Sequence, residues 1–200
     1  MALQNRGQPD GTILALSERG RFMGNRGILH DSEQNLSHRR WRHKAWVTCL
    51  LSFKGRKRPV MAPDAYTELF FLDEAVAFAA GHRPCGECRR DHYNRFRDAA
   101  GLTGRIGDFD DVLHKARAEP RTFRQIRFRA DISTLPDGVF VQNDDGSLYL
   151  VYQDALFPYA DMAYREPIKK PKTGTVTVLT PAPLIDVLRS GYQLDIGPLP

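Results

Sequence analysis

Cys49, Cys85 and Cys88 are the residues of this 200-residue sequence whose type and spacing best suit chemistry. Two thiolates separated by two residues can turn both sulfurs toward one ion at about 2.3 Å, provided a tight turn lies between them. Gly86 gives that turn its freedom, and Pro84 fixes the direction of the chain entering it. Cys49 comes from a separate segment, as two-knuckle zinc sites require. Three cysteines do not make a disulfide framework, and a Cys-x-x-Cys pair in a reducing compartment points to metal or redox chemistry. A thioredoxin-like pair follows a strand in a βαβ unit. This one follows a helical segment and the turn Gly81-His82-Arg83-Pro84, which argues for a metal, with zinc expected.

Zinc takes four ligands, and there is no fourth cysteine. His30 is the preferred fourth ligand, because it follows the glycine-bracketed turn Gly24-Asn25-Arg26-Gly27 ahead of the cysteine strand. His43, on the same strand face as Cys49, and His92, one helical turn beyond Cys88, are the alternatives. His82 and His114 read as ordinary surface or core histidines.

The elements that must position these residues follow from pattern. Residues 41–51 are rich in β-branched and aromatic side chains and read as a strand through Cys49, and 66–71 read as a second strand. Asp73 caps a helix over 74–80, which Gly81 ends, and a further helix spans 89–100. Later in the chain Asp108 is the expected cap of a helix that stops at Pro120. Residues 139–141 and 148–152 flank Asn143-Asp144-Asp145-Gly146, a hairpin signal. Another strand is expected over 175–180 and a short helix from Pro183. The sum is an α+β protein, divided into an N-terminal arm (1–20), a zinc-bearing domain (21–100) and a sheet-rich α+β region (101–200).

The stretch from Phe70 to Cys88 also resembles a known family. An aromatic strand, a short Glu-Ala-rich helix ending in Ala80-Gly81, and then Arg83-Pro84-Cys85-Gly86-Glu87-Cys88 look like the approach to the second metal knuckle of the N-terminal zinc domain of the Ada DNA-repair family. The likeness extends over about 30–100, with Cys49 in the place of the first knuckle. It implies a zinc-binding, DNA-binding domain in which one zinc-bound thiolate can accept a methyl group from a DNA phosphotriester. The family's first knuckle carries two cysteines. Here Ala45 and Phe53 stand four residues to either side of Cys49, so one thiolate is missing. Three thiolates and a neutral histidine leave a zinc complex of charge −1 rather than −2, which makes the sulfur a weaker nucleophile. Pro84-Cys85-Gly86-Glu87-Cys88 also looks like the cytidine-deaminase knuckle. No His-x-Glu or Cys-x-Glu triplet precedes it, which rejects that chemistry.

Around the cysteines the chain is basic. Arg39, Arg40, Arg42, Lys44, Lys54, Arg56, Lys57 and Arg58 fall in a run without a single acidic residue, interleaved with Trp41, Trp46 and Phe53. Such a run suits phosphate contacts, and exposed aromatics suit base stacking, although tryptophans at strand spacing are more often core. The net charge of +5 agrees with a polyanionic partner, and DNA is the expected one. Glu33, Glu68, Glu74 and Glu87 form no paired-carboxylate pattern, and there is no catalytic-triad, P-loop or dinucleotide signature. Tyr149, Tyr152, Tyr159 and Tyr164 suit either a core or a groove. No run of apolar residues is long enough to span a bilayer, and the first residues lack the apolar core of a secretory signal, so a cytoplasmic protein is expected. The function expected is a zinc- and nucleic-acid-binding protein of DNA repair or processing. The alternatives are a zinc-thiolate alkyl acceptor and a zinc-stapled protein-interaction module.

Overall fold

Strand structure begins in the polar segment expected to be an arm. In the computed structural model, which describes residues 2–57 and 59–200, β1 (Gln4–Gly7) and β2 (Ile13–Ala15) form an antiparallel pair. Next come β3 (Phe22–Asn25), β4 (Val47–Leu50), β5 (Leu69–Phe71) and, after helix α1 (Glu74–Ala79), the short β6 (Arg83–Pro84). They assemble into one sheet in the order β2-β1-β5-β3-β4-β6. Residues 1–20, expected as an arm, thus contribute two strands to this sheet. Gly7 makes this possible, since a Cβ there would lie 2.2 Å from the Phe71 ring.

α1 forms as the sequence dictates. Asp73 is extended, its carboxylate accepts from the Val76 N–H at 3.0 Å, and Gly81 takes up φ +83 beyond the helix end. Every residue of α1 is buried, Glu74 included, so the helix lies inside the molecule.

Two helices follow, α2 (Arg90–Ala99) and α3 (Ile106–Arg117). Asp108 does not cap α3: the helix starts two residues earlier, and Asp108 sits in its first turn, where a carboxylate faces the positive end of the helix dipole. The second sheet contains β7 (Phe128–Asp131), β8 (Phe140–Gln142), β9 (Leu148–Tyr152), β10 (Ala155–Ala160), β11 (Ala163–Tyr164), β12 (Ile168–Lys169) and β13 (Thr175–Val178). Its order is β11-β10-β9-β8-β13-β7, with β12 also on β10. Helix α4 (Ala182–Arg189) follows.

The protein is thus mixed α+β with a sheet-rich C-terminal half. The two halves share their interior. One core cluster joins Leu69, Phe71 and Val76 to Phe140, Leu150 and Tyr159, and the other joins Phe78, Phe96 and Leu113 to Val141, Val151 and Leu184. α1 is the wedge between them, with residues in both. No helix among the described residues is long and apolar enough to cross a membrane.

Candidate metal centre

The cysteines meet because β4 and β6 run parallel, with Val47 opposite Arg83 and Thr48 opposite Pro84. The Arg83 N–H donates to Trp46 O at 3.1 Å and the Cys85 N–H to Thr48 O at 3.0 Å. One further step along this ladder sets Cys85 beside Cys49. The chain then turns back: the Arg89 N–H reaches Cys85 O at 3.2 Å, closing the knuckle at the start of α2. Within the turn the Glu87 N–H donates to Cys85 Sγ at 3.4 Å, and the Leu50 N–H donates to Cys88 Sγ at 3.4 Å. Backbone donors aimed at sulfur favour the thiolate.

The three sulfurs lie within 4.8 Å of one another, and all three cysteines are free and half-buried. Thiolates sharing a zinc ion at about 2.3 Å stand about 3.8 Å apart in tetrahedral geometry, so the observed cluster is close to that arrangement. Their acidities are coupled. Hydrogen bonds from Cys49 and then Cys88 pull the Cys85 thiol far down, while the bond to Cys85, then that to Cys88, then burial push Cys49 far up. A soft cation would displace the remaining protons. The three cysteines can hold a metal ion.

No protein-family model, curated protein or solved structure matches this chain.

Among the described residues no histidine, aspartate or glutamate joins the three sulfurs. His30 is held elsewhere: its Nδ1 lies 2.6 Å from Thr67 Oγ1 and its Nε2 lies 3.2 Å from Ala62 O, so both ring nitrogens are engaged. His43 is exposed ahead of β4, and His92 Nδ1 faces Arg89 Nη2 at 3.1 Å.

Arg39, Arg42, Lys44, Lys54, Arg56 and Lys57 are exposed, Arg40 is half-buried, and Arg58 lies outside the described residues. Arg56 pairs with Glu87 at 2.6 Å, which ties the basic loop to the knuckle, and Lys44 pairs with Asp111 at 2.7 Å. Lys54 and Arg56 both lie over the Phe53 ring, beside the exposed Leu50 and Leu51. Trp46 is buried and Trp41 half-buried, so Trp46 is core. Of the tyrosines, Tyr159 and Tyr164 are buried and belong to the core, with Tyr164 Oη donating to Asp73 at 2.8 Å.

The support beneath the knuckle escaped the sequence reading. Arg89, next to Cys88, donates to Glu74 Oε1 at 2.6 Å. Tyr192 Oη donates to the same oxygen at 2.8 Å, and the Asp195 N–H to Glu74 Oε2 at 2.9 Å. The available signal was a glutamate within an otherwise apolar buried helix, since such a carboxylate requires a cationic partner.

Proposed function

We propose that Cys49, Cys85 and Cys88 bind a zinc ion as thiolates, and that this centre fixes the knuckle and its basic surroundings as a nucleic-acid-binding surface, with DNA repair or processing as its setting. The convergence of one sulfur from β4 with two from the knuckle after β6 carries the reading. Soft thiolates suit zinc among the common divalent ions. The likeness of the segment from Phe70 to Cys88 to the Ada zinc domain supports the same choice. Free thiols fit a reducing, cytoplasmic setting.

Chemistry at the surface agrees. Arg39, Arg42, Lys54 and Lys57 present exposed charge, and Phe53 offers a ring beside two of the cations. A chain phosphate can take the place of Glu87 on Arg56 or of Asp111 on Lys44, because both pairs are exposed. The test is binding of duplex and single-stranded oligonucleotides as salt is raised, before and after metal chelation. Each phosphate contact steepens the plot of log affinity against log salt by about 0.9 on B-DNA. Affinity unaffected by chelation and by salt overturns the proposal.

One observation favours a second reading, that of alkyl acceptor. Among the described residues three protein donors gather, and their cysteines are not fully buried. A thiolate sulfur would attack the methyl carbon of a methylated phosphate; the S–C bond forms, the C–O bond breaks, and the phosphodiester leaves as the anion. Bound zinc would keep the sulfurs deprotonated near neutral pH. Intact-mass analysis after incubation with methylated DNA decides it: a single added methyl on a cysteine supports transfer, and an unmodified protein excludes it.

A further inference from the structure

Among the described residues two buried arginines, Arg26 and Arg117, have no ion pair of their own. Arg26 is 3% exposed and Arg117 1%, and a guanidinium so far from water is costly unless charge and hydrogen bonds compensate it. Among the described residues neither forms an ion pair. The neighbouring Asp110 is committed to Arg83, at 2.7 and 2.6 Å. The partners the two arginines do have are neutral. Arg26 Nε donates to His82 Nε2 at 3.2 Å and its Nη2 to Ala80 O at 2.9 Å, while Arg117 donates to Gly81 O and Lys44 O. Both guanidiniums also lie against the Trp46 ring, 4.1 and 3.8 Å from its centroid. Cation–π contact recovers part of the lost hydration, but it leaves two like charges close together.

Both arginines line one cleft, whose remaining walls include Trp41, Phe123, Gln125 and the exposed Arg124. Its interior is about 20 Å³, more than the roughly 10–15 Å³ that one water-sized atom needs. Two polar atoms of the lining residues have no hydrogen-bond partner: Arg117 Nε, a donor, and Gln125 Oε1, an acceptor. The amide of Gln125 cannot be the other way round, because its Nε2 donates to Ala79 O, Leu179 O and Pro9 O at 2.6, 2.7 and 3.2 Å. An occupant that satisfies both orphans must accept from Arg117 and donate to Gln125. A water molecule can do so, yet it leaves the charge uncompensated.

We propose that this cleft is a binding site for a hydrogen-bearing phosphate, with one P–OH oxygen entering between Arg117 and Gln125 while Arg26 and Arg124 supply further positive charge. Inorganic phosphate keeps an O–H at neutral pH; sulfate and the phosphodiesters inside a nucleic-acid strand do not. The same chemistry is offered by free phosphate and by the terminal phosphate of an oligonucleotide in its monoanionic form. The site does not depend on the metal, since Trp46 and Cys49 point to opposite faces of β4 and its approach.

The test is phosphorus NMR of inorganic phosphate titrated with the full chain, ionic strength held constant with chloride and sulfate as the comparison. Saturable broadening is expected, with sulfate at least about tenfold weaker. Arg117→Met should abolish it. Arg124→Ala, which removes only an exposed side chain, should weaken it severalfold with an unchanged Tm, and this keeps the test valid if the buried substitution fails to fold. No saturable broadening, equal binding of sulfate, or wild-type affinity in both variants overturns the proposal. A 5′-phosphorylated oligonucleotide bound more tightly than its unphosphorylated twin below pH 6 identifies a strand end as the source; equal binding identifies free phosphate, and either result upholds the site. Phosphate binding without any oligonucleotide affinity upholds the cleft while overturning the nucleic-acid reading above.

Discussion

Arg89 and Glu74 form an ion pair of 2.6 Å in which the two side chains are 2% and 0% exposed. The pair joins the residue after Cys88 to the first turn of α1. Burial is the largest influence and lowers the Arg89 pKa, but the bond to Glu74 and the attraction of its charge together reverse it, and the net shift is upward. Removing one partner strands the other charge in the interior, at a cost of about 3–5 kcal/mol. Glu74→Ala and Arg89→Met should each lower unfolding stability by that order in urea titrations. The double substitution should lose less than the sum of the two, because it leaves no unpaired charge.

The proposed zinc centre makes metal content depend on the cysteines. Cys49→Ser, Cys85→Ser and Cys88→Ser should each reduce bound zinc well below one ion per chain by elemental analysis. Chelation of the wild-type protein should lower its Tm, since an ion at about 100 times its Kd stabilises by about 2.7 kcal/mol. Equal Tm with and without chelator would show that the ion contributes nothing to the fold.

Acid should destabilise the protein through its histidines. Burial and then Arg117 hold His114 down to about 4, below its ordinary 6.5. The unfolded chain therefore binds more protons between these values, so the contribution is complete above about 6.5 and is lost as pH falls through about 4. His82, wholly buried against Arg26, shifts in the same direction. Tm measured from pH 7 to pH 4 should fall less steeply in His114→Gln than in the wild type.

A chain ending after Gly101 should not fold cooperatively. Phe78 and Phe96 share a core cluster with Val141, Val151 and Leu184, and Phe71 shares one with Phe140 and Leu150, so truncation removes nearly all of the first cluster and part of the second. Near-ultraviolet circular dichroism should show no fixed aromatic environment, and a sharp thermal transition in the fragment would refute the shared interior.

Much of the site was legible because its signals are local. Asp73, Gly81, Pro84 and the Cys85–Cys88 spacing set a cap, a stop and a turn within sixteen residues, and each does so in the structure. β1 was not legible: Gln4-Asn5-Arg6-Gly7 carries no strand pattern and becomes a strand only by pairing with β2 and β5. Arg26 and Arg117 were hidden for a similar reason. An arginine after a strand or on a helix reads as surface until distant aromatic and carbonyl groups enclose it. Sequence alone puts His30 first among the candidate ligands because it does not show the histidines' partners, such as Thr67 for His30 and Tyr192 for His92, which lie across the fold.

The tail that grips Glu74 and Asp73 through Tyr192, Asp195 and Gly197 has a consequence for biogenesis. All three cysteines leave the ribosome about a hundred residues before that tail does, which at roughly 5–20 residues per second is an interval of roughly 5–20 s. During it the nascent thiols have no buttressed knuckle, so early metal capture or a reducing milieu must protect them from oxidation until Tyr192 and Asp195 reach Glu74.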